Sequence, residues 1–534
     1  MKFNMPMFVA CLFFGMADVA CSAETTRDDV TRVAAVIDEH LAAQWKQERV
    51  TPAPIADDAE FLRRVHLDIA GKIPTVSEVR AFLADNSPDK RRRVVDRLLE
   101  SPAYITNFAN KWRSALMPEA DSDIQVRLLV PGFEAWLREK LREDARYDDM
   151  VREILTFSFE TPDEGGRNVY VAATGTASPV AFYQAKQIAP ESLAAATARM
   201  FLGVRIECAQ CHDHPFDDWK QEEFWSFAAF FAGIERRNPE QGVFGGVREL
   251  PDRREIAVPD TDKVVQAAFL DDSPPRFRFR QGPRTTLAEW VASADNPYFT
   301  RTAANRLWGH FFGIGLVDPI DDFGPHNAAS HPEILDALAK ELAAAEFDMK
   351  FLIRAITASD AYQRTSMKTD ESQSDPRRFA RMAVRGMTPE QLYDSLLRAT
   401  GRHEPFSPQR GFAIGVGDPR SEFLELFAND SDAPTETQTT ILQALAMMNG
   451  RLVAGATNVE QSKTLAAVLD YPLLDTEGRI ETLFLATLSR PPRAEELSRL
   501  AEYVEKSSDD DQRRQALADV FWMLLNSSEF LFNH

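Results

Sequence analysis

Apolar residues return every three or four positions through most of this chain, and that period commits it to packed helices rather than to sheets. Ala59 to Ile69 carries Phe61, Leu62, Val65 and Ile69 at helical spacing, and Thr31 to Gln44 is amphipathic in the same way. Thr75 with Glu78, three residues on, forms a capping-box signature for a helix through Leu83. Ser330 with Glu333 and Thr388 with Gln391 repeat the signal ahead of Ile334, Leu335, Leu338 and of Leu392, Leu396. Further helices are expected over Asp89–Glu100, Pro102–Trp112, Gly132–Glu143, Asp148–Phe157 and Pro190–Leu202. Four more follow over Thr437–Asn449, Gly478–Leu488, Ala494–Lys506 and Gln512–Ser527.

Three stretches lack the period. Thr161 to Pro190 is rich in Gly, Thr, Ala and Pro and predicts a long ordered loop, while Ser366 to Asp375 predicts a charged tether. Asn238 to Pro283 predicts a connection with short strands near Glu255–Val258 and Arg276–Arg280. The expected fold is therefore mainly α: two helical domains joined by a loop-rich segment with a few short strands. The expected divisions are 1–23, 24–236, 237–285 and 286–534, since 534 residues exceed what one core of about 100 to 200 residues holds.

Residues 1–23 predict a signal peptide: Lys2 starts a basic end, Met5 to Ala17 is apolar, and Ala20 to Ala23 offers small residues for cleavage. Acylation at Cys21 would make a lipoprotein instead, but Asp18 stands where that signal wants an aliphatic residue. No later stretch approaches the roughly 18 apolar residues of a membrane span. An exported, periplasmic or cell-envelope protein is expected. The 82 acidic against 61 basic residues leave a charge of -21, which repels nucleic-acid backbones.

With Cys11 and Cys21 in the signal, the mature chain keeps two cysteines, in Cys208-Ala209-Gln210-Cys211-His212. This C-x-x-C-H spacing is that of covalent haem c attachment, with two thiols for the vinyl groups and His212 as proximal iron ligand. Two other readings compete. One is structural: a Cys208–Cys211 disulfide, or zinc held by Cys208, Cys211, His212 and His214, although four ligands in seven residues demand a sharp turn. The other is thiol–disulfide exchange, which lacks the βαβ context it usually has. Met200, His214, His310 and His331 are candidate distal ligands, each with an ordinary structural alternative. Phe224, Phe227, Ala228 and Phe231 form a stripe that either walls a haem or is plain core, on a helix expected to be capped by Asp218 and Gln221. Asp318, Asp321, Asp322 and His326 could meet a cation or form a solvated acidic turn. Asn305, Arg306 and His310 could line a shared pocket, with Arg306 equally readable as a buried ion-pair partner.

FLRRVHLDIAGKIPT (Phe61–Thr75), FLGVRIECAQCHDHPFDDW (Phe201–Trp219), NPYFTRTAANRLWGHFFGIGLVDPIDDFG (Asn296–Gly324) and SHPEILDALA (Ser330–Ala339) resemble large exported two-domain proteins typical of planctomycetes. Those pair a cytochrome-type domain of unknown function with a second helical domain of unknown function. The resemblance implies a helical fold with a cytochrome-type domain around Cys208, Cys211 and His212; the haem reading of those residues carries with it a possible redox partner protein. A haem-free scaffold, and a hydrolase acting on exported polymers such as glycans, are the alternatives.

Overall fold

The computed structural model describes residues 15–159, 177–214, 217–236, 247–271, 273–402, 419–428, 440–459 and 461–534. Within them the chain is mainly helical, with three two-stranded antiparallel ribbons. Most of the expected signal peptide, including Cys11, lies outside the described residues, as does most of the loop expected over Thr161–Pro190. Among the described residues no helix is long and apolar enough to cross a membrane.

Helices start where polar side chains satisfy the free N–H groups of the first turn. Thr75 and Glu78 close the expected capping box of Val76–Ala84, and Thr388 with Gln391 closes that of Pro389–Thr400. Asp57, Ser101, Asn296 and Asp348 cap four others, each contributing about 1 kcal/mol. Two expected caps are not used. The Ser330 hydroxyl donates to the Leu316 carbonyl, so the helix Pro332–Ala344 begins on its proline without a side-chain cap. In the helix Gln221–Ala228 the box is closed by Glu223 on the Lys220 N–H, which releases Gln221 for another task.

Two helices end in π turns. His66–Ala70 closes at Gly71 (φ 68°) and Ala198–Leu202 at Gly203 (φ 70°), left-handed positions that glycine reaches without steric cost. Both lie beside the polar centres described below.

The loop expectation for Thr161–Pro190 gives way to a short buried helix, Val180–Ala185. Strand Glu255–Ala257 pairs with Val264–Gln266, as expected of a strand there, whereas Arg276–Arg280 has no ladder partner and is not a strand. The Ser366–Asp375 segment is tied down: Gln373 is buried and donates to the Thr51 carbonyl.

Apolar side chains gather into two clusters. The larger runs from Val30 to Met382, with Leu485, and so takes residues from both sides of the 237–285 connection. The smaller spans Met387 to Phe530 and accepts Leu67 and Ile73 from the N-terminal part. The long helix Gly15–Glu48 packs on Met349–Ala358 and Pro332–Ala344. Phe532–Asn533 pairs with Arg385–Gly386 as a two-residue ribbon. The Phe stripe is core: Phe224, Phe227, Ala228 and Phe231 are buried, and Phe227 meets Phe230 and Trp290.

Candidate functional site

The π turn ending at Gly203 delivers the chain to a single 3₁₀ turn, Glu207–Gln210. Ala209 is buried and its N–H donates to the Ile206 carbonyl at 2.9 Å, which anchors the turn from below. Cys208 lies within this turn and Cys211 caps its end at φ -104° and ψ -30°. Both thiols are exposed and unjoined. The helix that follows seals the open end: Gln221 Nε2 donates to the Gln210 and Cys211 carbonyls at 3.3 and 3.0 Å, and Trp225 Nε1 to the Gln210 carbonyl at 3.0 Å. Two of the carbonyls that a short helix leaves unpaired are thereby satisfied.

His212 is exposed, and its Nδ1 lies 2.8 Å from the Asp213 carbonyl oxygen. A carbonyl can only accept, so Nδ1 carries a proton, and in the neutral ring Nε2 is the nitrogen with the lone pair. That arrangement is the usual one for a metal-ligating imidazole. The thiols and this imidazole fit a c-type haem in their attachment chemistry. They do not form a zinc tetrad: among the described residues no group of three or more His, Cys, Asp or Glu is gathered to hold a metal ion. The backbone N–H of His214 donates to the Trp219 carbonyl at 2.7 Å, which folds the chain back after the turn.

Beneath the turn lies a polar floor drawn from the C-terminal half. Asp321, buried, accepts from Arg199 Nε at 2.6 Å and from Arg205 Nη2 at 2.7 Å. Burial pushes the Asp321 carboxyl up, but the two guanidinium groups outweigh it and hold the pKa below the usual range. Burial raises that of Glu207, beside Cys208. Among the described residues Arg306 joins no ion pair, against the ion-pair reading; it donates to the Arg199 and Met200 carbonyls, and desolvation lowers its pKa. Asn305 is buried and closes the 317–320 loop through Val317 and Ile320.

Asp321 is thus spent on arginines, and among the described residues the cation reading of this loop finds no cluster of three metal-binding side chains. Asp322 and Asp217 instead face His326, at 3.3 and 3.9 Å. The Phe323 N–H donates to the Gly203 carbonyl at 2.8 Å, which seats this loop on the glycine. A Cβ at Gly203 would stand 2.5 Å from Thr302 Oγ1 and 2.6 Å from the Phe323 ring. Gly203→Ala is therefore expected to cost about 1–2 kcal/mol for the left-handed backbone, with the overlap adding to it, read as a lower melting temperature. An unchanged melting temperature would contradict this packing.

The other distal candidates are engaged elsewhere. Met200 is buried in the large core, His310 Nε2 donates to the Asp68 carbonyl at 2.9 Å, and His331 is buried against Phe379. His331 is not the solvent-facing residue its helix position suggested.

His310 belongs to a second polar centre that the sequence did not announce. Asp68, in the other π turn, accepts from Tyr362 Oη at 2.8 Å, Arg385 Nη2 at 3.0 Å and Asn533 Nδ2 at 2.7 Å. Burial first, then the neighbouring Asp68, keeps the Tyr362 phenol protonated. Burial also pushes Lys111, nearby, down to about 8. The only sequence signal was the run HLDIAG itself.

Residues 36–236 match PSCyt2, described as a protein of unknown function (DUF1549), and residues 283–414 and 418–504 match PSD1, likewise of unknown function (DUF1553). The chain is a PSCyt2–PSD1 protein. The cysteine turn lies in the PSCyt2 part, a planctomycete cytochrome-like family, and Asp321 comes from the PSD1 part. No curated protein and no solved structure matches the chain.

Proposed function

We propose that this PSCyt2–PSD1 protein is an exported c-type haem protein serving electron transfer or haem-based redox chemistry. The observation that carries the reading is a pair of exposed, unjoined thiols on one short turn, followed by an imidazole with Nδ1 already committed to a carbonyl. Cys208 and Cys211 would each add S–H across a porphyrin vinyl group, and His212 would offer Nε2 to the iron. A haem held there supplies one-electron exchange. The protein's own part is to hold the turn: Gln221 and Trp225 fix its carbonyls, and Asp321 with Arg199 and Arg205 fixes the segment beneath it. A redox partner protein would meet a haem held by these three residues at an exposed turn. The basic and apolar start of the sequence would direct the chain to the compartment where such attachment occurs.

The test is the intact mass of protein matured in a host able to attach c-type haem. The expected result is a gain of one haem, abolished or sharply reduced in Cys208→Ser and Cys211→Ser with helical circular dichroism retained. A matured protein at bare polypeptide mass would instead favour a haem-free scaffold.

A further inference from the structure

The alternating run Arg276–Arg280, RFRFR, is an exposed tip rather than a strand. The Gln281 N–H donates to the Arg278 carbonyl at 3.1 Å, which places Phe279 and Arg280 at the corner of a turn. Arg280 stands there at φ 63°, a left-handed position that turns usually give to glycine. The base of the tip is fixed by the core. Phe277 lies under the Arg254 guanidinium at 4.1 Å and beside Phe230 at 6.4 Å between ring centres. The helix Pro283–Val291 begins three residues after Arg280, and its buried Arg284 holds Glu249 and the Leu155 and Phe157 carbonyls.

What this rigid base presents is left to solvent. Phe279 is 91% exposed, the highest value of any large apolar residue among the described residues. Arg276, Arg278 and Arg280 are exposed as well, and among the described residues none of their guanidinium groups makes a hydrogen bond. Glu289 reaches only one of them, Arg278, at 3.9 Å. A chain of charge -21 thus gathers three positive charges around one exposed ring. An acidic polymer would use the arginines and leave the ring in water. A sugar ring stacks on an aromatic whose far face the protein supports, and Phe279 has only the Arg280 guanidinium near it, 5.3 Å from its centre. An anionic lipid surface takes both features: headgroup phosphates accept from the guanidinium groups, and the ring enters the apolar boundary beneath them.

We infer that Phe279 and its three flanking arginines dock the protein peripherally on an anionic lipid surface. The inference goes beyond the haem reading and shares no residue with the cysteine turn, so either can fail alone.

Vesicle sedimentation of the matured protein tests it, with about 30% phosphatidylglycerol in phosphatidylcholine compared with phosphatidylcholine alone. The expected result is binding to the anionic vesicles only, weakened about tenfold in Phe279→Ser by the lost ring burial. Combining Arg276→Gln, Arg278→Gln and Arg280→Gln is expected to weaken it about a hundredfold. Phe279→Trp should bind as the parent does and add a blue-shifted emission that brominated lipid quenches, which reports where the tip sits. Three results would overturn the inference: no preference for the anionic vesicles, binding unchanged in the folded Ser and Gln variants, or binding that needs the arginines but not Phe279 and is matched on dextran sulfate. The last would assign the tip to an anionic polymer instead.

Discussion

Asp68→Ala is expected to lower the stability of the protein by about 3–5 kcal/mol, the usual cost of removing one partner from a buried charge pair. Asp68 has 1% of its side-chain surface exposed and Arg385 has 14%, so water cannot replace the lost carboxylate. Tyr362 and Asn533 lose an acceptor at the same time, each worth about 1 kcal/mol. Tyr362→Phe removes one of those bonds without stranding a charge and is expected to cost about 1 kcal/mol. The two variants thus separate the charge from the hydrogen bond. Denaturant unfolding reads both, and an Asp68→Ala protein within about 1 kcal/mol of the parent would show that this centre does not hold the molecule together.

Acidification from pH 6.5 to about 4 is expected to destabilise the fold through His331. Burial pushes its pKa down to about 4 from the ordinary 6.5, against the partial pull of Glu48 and Glu333. In that window the unfolded chain binds a proton that the folded chain refuses, so stability falls with falling pH. The contribution is level above 6.5 and level again below about 4. A shift of this size corresponds to roughly 3 kcal/mol across the window. His310, held well below its ordinary pKa by burial, acts in the same direction. Melting curves between pH 7 and pH 4 should therefore be flatter for His331→Phe than for the parent. Equal slopes would place the acid sensitivity elsewhere.

How much of this was legible in the sequence depends on how local each signal is. Helices with a Thr cap and a Glu or Gln three residues on, at Thr75 and Thr388, were readable because both groups lie within one turn. The Ser330 box failed because its hydroxyl found a carbonyl 14 residues upstream, at Leu316, which no spacing rule contains. The π turns at His66–Ala70 and Ala198–Leu202 insert one residue into an apolar period and are hidden by it. The C-x-x-C-H motif was readable as a motif. Its floor was not: Asp321 comes from more than a hundred residues away, and Asn533 reaches Asp68 across 465. Aspartates in the run DPIDD look alike in sequence, and only packing separates Asp321, spent on two arginines, from Asp322, facing His326.

The haem assignment is tested most directly by a pyridine haemochrome spectrum of the full chain purified from a host that matures c-type haems. The account predicts the absorption of a porphyrin bound through two thioethers, retained after acid–acetone extraction and lost when Cys208 and Cys211 are both replaced by Ser. A colourless, fully folded protein from such a host would contradict it.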